Sequence, residues 1–306
     1  MDDLVPFSPQ SDRSKPRHCF AFEPEQYRVK VRRFSALPAE FTVQRVNFDR
    51  DIRAYERAAQ QGYSTVTRPP RRPRDPDRTP DPEDLERAQW RAKQSVRLRV
   101  LELAPSALVT FTTREILTID QLLWVWQHFA RLMRSAGVDF EYVAVPERHP
   151  SNPAHLHLHV AYRGRCNFST LRRFWHMSLE ARHGRRVAVI LRGAESPGNV
   201  DVQPVKSRDS LRRMRKISRY VAKYITKDLI TEFNRRRYWP SKGISLQEAQ
   251  VFWLDSINQA DAIREACTMM GQWDNLSDAP AQKIFRPSDR VAWCAIDPDK
   301  TPPPPF

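Results

Sequence analysis

Cysteine and long apolar runs are scarce in this 306-residue chain, and acids are outnumbered by bases. The four cysteines, Cys19, Cys166, Cys267 and Cys294, lie far apart and form no CxxC pair. That spacing excludes a zinc knuckle and a disulfide framework as the organising device. No apolar run is long enough to span a bilayer. The first residues include Asp2 and Asp3 and no apolar segment of the signal-peptide kind. The expectation is a cytoplasmic protein with no membrane partner. Acids number 36 against 51 lysines and arginines, a formal net charge of +15.

What is present points to a polyanion. The excess of cations is concentrated: Arg163 to Arg237 holds 20 lysines and arginines and 6 acids. A localised basic stretch fits phosphate binding better than a diffuse charge does. Hydrophobic residues make up 40% and aromatics 10%, enough for a buried core.

The chain divides by composition. Residues 1–67 read as an N-terminal extension of unknown role, with scattered aromatics and no clear period. Residues 68–83 are dense in proline and arginine and read as a linker. Residues 84–245 carry regular periodicity and form the main domain. Residues 246–306 read as a C-terminal extension that is amphipathic to irregular, with a disordered proline run at 302–305.

Within the main domain, residues 84–103 read as a basic helix with Asp84 as N-cap. Strands are expected at 107–113, 140–147, 155–162, 187–191 and 199–205. Helices are expected at 118–136, 168–183 and 208–229. From residue 107 the order is β-α-β-β-α-β-β-α. It implies an α+β fold, an antiparallel sheet with helices packed on one face in a ferredoxin-like arrangement.

The strand HLHLHVAY puts His155, His157 and His159 on one side and Leu156, Leu158 and Val160 on the other. Imidazoles at i, i+2 can converge on one cation. His155/His157 and His157/His159 are both geometrically possible pairs. Glu147 ends the preceding strand, and the intervening turn is expected to bring it near His155. A carboxylate in the set suits hard Mg²⁺ or Mn²⁺. His149 lies in the same turn and is a weaker candidate.

The last helix of the domain carries Tyr220 and Tyr224, four residues apart and so on one face. An apolar stripe runs through Leu211, Met214, Ile217, Val221, Ile225 and Leu229, with Lys216, Lys223 and Lys227 clustered on another side. The tyrosines fall on the seam. An unperturbed phenol has a pKa of about 10, so a nucleophilic tyrosine needs a cation or base beside it. Lys223 and Lys227 each follow a tyrosine by three residues.

Together these motifs resemble the HUH endonucleases. PERHPSNPA before HLHLH, YVAKYITKDL some sixty residues later and VTFTT (Val109–Thr113) are similar to that family's motifs, nearest to those of two-tyrosine rolling-circle replication initiators of small single-stranded DNA phages and related plasmids. The resemblance covers about residues 105–245 and implies an HUH endonuclease core of ferredoxin/RRM-like fold. It implies Glu147, His155 and His157 as metal ligands, with His159 extra, and Tyr220 and Tyr224 as nucleophiles. The order, histidines before tyrosines, is that of initiators and HUH transposases rather than of conjugative relaxases.

The implied activity is site-specific nicking of single-stranded DNA at a replication origin, through a 5′-phosphotyrosine and a free 3′-OH. Host polymerase and helicase are the implied partners. Lys216, Arg219, Arg212 and Arg213 are the expected DNA contacts, with Phe174, Trp175 and Tyr238 as candidate base-stacking residues. The competing readings are a two-tyrosine HUH transposase, a metal hydrolase that needs no tyrosine, and a non-catalytic RNA- or DNA-binding module. The last predicts aromatics where this strand carries histidines.

Overall fold

A computed structural model of the chain describes residues 26–37, 39–46, 81–149, 151–204, 210–227, 237–256, 258–273, 282–288 and 291–296. The expected linker, apart from residues 81–83, and the proline run lie outside the described residues. The fold is α+β, with two antiparallel five-stranded sheets. The chain divides into two units: Met1–Phe34, Pro38–Asp77 and Gln247–Phe306 form one, Ser35–Leu37 and Arg78–Leu246 the other. No helix among the described residues is long and apolar enough to cross a membrane.

The first unit draws on both ends of the chain. Strands β1 (Gln26–Arg32), β2 (Glu40–Arg45), β8 (Gln250–Asp255), β9 (Gln282–Ser288) and β10 (Val291–Ile296) pair in the order β8-β1-β2-β10-β9. Helix α5 (Gln259–Trp273) packs Ala262, Ile263, Ala266 and Met270 against Val29, Phe41, Val43 and Phe252. The N-terminal segment, expected to lack a period, in fact alternates strictly across β1: Tyr27, Val29 and Val31 are buried between exposed or half-buried neighbours.

The second unit holds helix α1 (Pro82–Leu103), strand β3 (Ala107–Thr112), helix α2 (Ile119–Ser135), strands β4 (Glu141–His149) and β5 (Asn152–Arg163), helix α3 (Phe168–Ala181), strand β6 (Val200–Pro204), helix α4 (Ser210–Lys227) and the short strand β7 (Trp239–Pro240). Its sheet order is β6-β3-β5-β4-β7. The first four of these strands follow the ferredoxin-like arrangement.

Local sequence explains most helix ends. Asp81, not Asp84, caps α1: its carboxylate accepts from the Glu83 N–H at 3.0 Å, and Pro82 takes the first helical position, where its missing N–H costs nothing. Thr118 and Gln121 form a reciprocal capping box at the start of α2. Asn167 caps α3.

Helices cover both faces of this sheet, which corrects the one-face expectation. Helices α2 and α3, the two inside the ferredoxin-like repeat, occupy one face, where Leu122, Trp126, Phe129, Leu171 and Trp175 pack on Val109, Phe111, Leu158 and Val160. Helices α1 and α4 occupy the other, where Val96, Val100, Ile217 and Val221 pack on Leu108, Val143, Val145 and Ala161. The reason is the sheet's own pattern. Both side-chain sets of its central strands are apolar over much of their length, so each face needs a cover.

The expected strand at 187–191 is irregular. The free edge of β3 is taken by β6 instead, with Val109 opposite Val202. The crossover is tied down by a buried imidazole: His176 of α3 accepts from the Leu191 N–H at 3.2 Å and donates to the Gly198 carbonyl at 3.1 Å.

Candidate active site

The face under α1 and α4 is apolar at one end and polar at the other. On β5, Ala161 packs with the α1–α4 core while His159 and His157 continue the same side-chain row. On β4, Val143 and Val145 lead to Glu147. On β3, Leu108 leads to Thr110. The polar end is therefore a continuation of three strands whose apolar ends are already fixed by burial.

There the side chains meet. Glu147 lies directly opposite His157 in the β4–β5 ladder. The Glu147 carboxylate accepts from His159 Nε2 at 2.7 Å, and both side chains are buried, 4% and 5% exposed. The ring's other nitrogen, Nδ1, lies 3.2 Å from the Thr110 hydroxyl. With Nε2 as the donor, Nδ1 of the neutral ring accepts from Thr110, and the two bonds fix ring orientation. The His149 ring sits 4.5 Å from that of His157, centroid to centroid. Burial and the His149 and His159 rings hold the His157 imidazole below its ordinary value, against the opposing pull of Glu147.

This register differs from the sequence expectation, which set Glu147 beside His155. Strand β4 runs on to His149, and His149 pairs with Asn152. The register shifts between Arg148 and His149, and that irregularity carries Glu147 past His155 to His157.

Helix α4 brings a tyrosine to the same place. Ile217, Val221 and Ala222 anchor it to the sheet. Tyr220, on the edge of that stripe, stands with its ring 6.0 Å from the His159 ring and perpendicular to it, and is 40% exposed. Lys216, Arg219 and Lys223 are exposed on the same helix, and Arg213 is half-buried. The side chains of Arg212, Tyr224 and Lys227 lie outside the described residues.

Residues 106–229 match the profile of a family of replication-associated proteins, the ORF2 type. No curated protein and no solved structure matches the chain. The ORF2-like segment begins one residue before β3 and takes in β4, β5 and α4. Every residue of the polar cluster lies within it. The likeness points to DNA replication as the setting for this site.

Inside the ORF2-like segment the donor types suit a divalent cation: one carboxylate and two imidazoles on one sheet face offer the mixed oxygen and nitrogen set such ions accept. Among the described residues no three His, Cys, Asp or Glu side chains are close enough together to hold an ion. Glu147 and His159 are instead bonded to each other.

Two expected base-stacking residues are not available for stacking. Phe174 and Trp175 belong to the α2–α3 core, and the Trp175 indole donates to the Thr112 carbonyl at 2.9 Å. Their spacing on α3 is that of a buried stripe. Tyr238 is half-buried, and its hydroxyl is 2.7 Å from that of Ser95. Several cations of the basic stretch are paired locally: Arg163 with Glu141, Arg182 with Glu115 and Arg185 with Glu180.

Sequence reasoning passed over Thr110. Its signal was present: Thr110 and Thr112 follow Leu108 on one side of the strand, two hydroxyls beyond a buried aliphatic residue.

Proposed function

We propose that the chain is an HUH-type nickase and strand transferase that initiates DNA replication by cutting one strand and remaining joined to it. The observation that carries this reading is the meeting of Tyr220, His159 and Glu147 on one sheet face, inside a segment similar to replication-associated proteins. The register favours Glu147, His157 and His159 as the residues that would hold Mg²⁺ or Mn²⁺ once the Glu147–His159 bond opened, with His155 outside the set. A bound divalent cation supplies Lewis-acid polarisation of the scissile phosphate.

The chain's own residues do the rest. The Tyr220 phenol loses its proton and attacks phosphorus. An Oη–P bond forms, the P–O3′ bond breaks, and the departing 3′ oxygen takes up a proton to become the 3′-OH that primes a polymerase. The phosphodiester is exchanged for a phosphotyrosine ester, so rejoining needs no nucleotide cofactor. Lys223 and Lys216 draw the phosphate toward the helix and stabilise the charge that develops on it. Thr110 holds the His159 ring in place through its second nitrogen. Tyr224, one turn on, cuts the regenerated site and passes the displaced strand back to the first 3′ end. Arg213 and Arg219, with Arg212, follow the single strand leading to the tyrosines.

The test is a covalent-adduct assay. Wild type, Tyr220→Phe, Tyr224→Phe and the double variant are incubated with labelled single-stranded origin DNA, with Mn²⁺ or EDTA, and run on denaturing gels. The expected result is a metal-dependent adduct that the double variant lacks. An adduct that persists in the double variant, or none with any strand despite tight binding, overturns the reading.

A further inference from the structure

The first unit has a second face, opposite α5, whose chemistry the nicking reading does not use. Residues directly opposite in an antiparallel ladder share a face. The register therefore gives two adjacent rows across four strands. One row reads Trp253, Arg28, Gln44, Val291; the next reads Val251, Lys30, Thr42, Trp293. Neither row contains an acid. The face's acids stand at its margins, Glu40 opposite Arg32 and Asp255 opposite Gln26.

Trp253 is 52% exposed and Val251 43%, on a strand whose other side, Phe252 and Leu254, is buried. Trp253 and Val251 adjoin Arg28 and Lys30 in the two rows, which sets exposed apolar surface directly beside cations. Arg28 and Lys30 are exposed beside it, and Arg28 donates to the uncharged Gln44 carbonyl at 2.6 Å, a contact that orients the guanidinium without neutralising its charge. Burial, and after it the flanking Arg32 and Arg28, press the Lys30 amine below its ordinary value.

We propose that this face is a binding platform for single-stranded DNA, with Trp253 and Trp293 stacking bases and Arg28 and Lys30 holding the phosphates between them. Aromatic faces accept any base, and adjacent cations track the backbone, so the combination selects a single strand over a duplex, whose bases are already stacked. The two tryptophans are three strand spacings apart, about 14 Å across the sheet, which leaves room for intervening nucleotides. The choice of DNA over RNA rests on the likeness to replication-associated proteins; the platform itself does not depend on the nicking chemistry.

The experiment is fluorescence anisotropy of the full chain with labelled oligo(dT) in EDTA, where no cutting intervenes. Trp253→Ala is expected to weaken binding roughly five- to 150-fold, the range for losing one stacked base. Trp253→Phe is expected to retain most of the affinity, and Trp253→Leu to lose it, which separates stacking from bulk. Arg28→Ala with Lys30→Ala is expected to lower the salt slope by about 1.4, the value for two lost phosphate contacts on a single strand. The binding measurement in EDTA needs no cutting, so a failed adduct assay and a failed platform are told apart. Unchanged affinity and salt slope in the Trp253→Ala and Arg28/Lys30 variants overturns the proposal. Tighter binding to oligo(U) or to duplex DNA than to oligo(dT) overturns the assignment to single-stranded DNA.

Discussion

The Glu147 carboxylate accepts a hydrogen bond of 2.7 Å from His159 Nε2 across twelve residues of chain, with Thr110 on the ring's far nitrogen and Tyr220 against its face. Four elements, β3, β4, β5 and α4, thus contribute one side chain each to a single cluster. Such a buried polar group is stable only when its members satisfy one another, so removing any one exposes the rest.

Glu147→Gln should therefore have two effects. Stability should fall by about 1.5–3 kcal/mol, the usual cost of a charge-assisted buried bond, read as a lower midpoint in urea. Mn²⁺ should raise the wild-type melting temperature and leave that of Glu147→Gln unchanged, since only a folded-state ligand stabilises by mass action. His157→Ala should behave like Glu147→Gln toward Mn²⁺. An equal Mn²⁺ shift in His155→Ala and wild type would confirm that His155 stands outside the donor set, and loss of the shift there would restore the His155/His157 register.

Thr110→Val keeps the shape and removes the hydroxyl. The expected outcome is a slower adduct-forming rate with unchanged DNA affinity, about tenfold or more by analogy with other outer-shell partners of metal-bound histidines. Thr110→Ser should recover most of the rate. A fall in DNA affinity with no change in rate would place Thr110 in substrate binding.

His176 gives a pH dependence away from the site. Burial pushes its imidazole below its ordinary value, and its bonds to Leu191 and Gly198 require the neutral ring. A histidine depressed in the folded state takes up its proton first in the unfolded chain. Stability from this residue is full above the unfolded value near 6.5 and is lost as pH falls below it, by up to about 1.4 kcal/mol per pH unit. His176→Gln should flatten that part of the stability–pH curve, measured by denaturant midpoints between pH 7 and 5.

Gly198 tests the crossover by sterics alone. A Cβ there would overlap the Thr112 carbonyl oxygen and lie 3.1 Å from the Trp175 indole nitrogen. Both groups are fixed by the bond they make to each other. Gly198→Ala should cost about 1–3 kcal/mol, as overpacking of a tight site does, and lower the melting temperature without altering the DNA-binding salt slope.

Period and local chemistry made much of the molecule readable from sequence. The alternation of His155 to His159 with leucines fixed a strand with an imidazole face, because strand side chains alternate whatever surrounds them. The apolar stripe from Leu122 to Met133 fixed α2, and the spacing of Ile217 and Val221 with Tyr220 placed the tyrosine at the edge of a buried stripe. The Tyr27–Val31 alternation went unread because it spans only five residues, and a single strand has no meaning without its partners.

Partnership is what only the tertiary structure decided. Whether Glu147 meets His155 or His159 depends on the register shift between Arg148 and His149 and the ladder beyond it. Trp175 and Phe174 looked like stacking residues until the α2–α3 core claimed them. Gln26–Arg32 and Val291–Ile296, at opposite ends of the chain, join one sheet through β2. Sequence dictates each element through short-range sterics and periodicity; pairing of distant elements is settled by which apolar faces can be buried together, and that is a property of the whole fold.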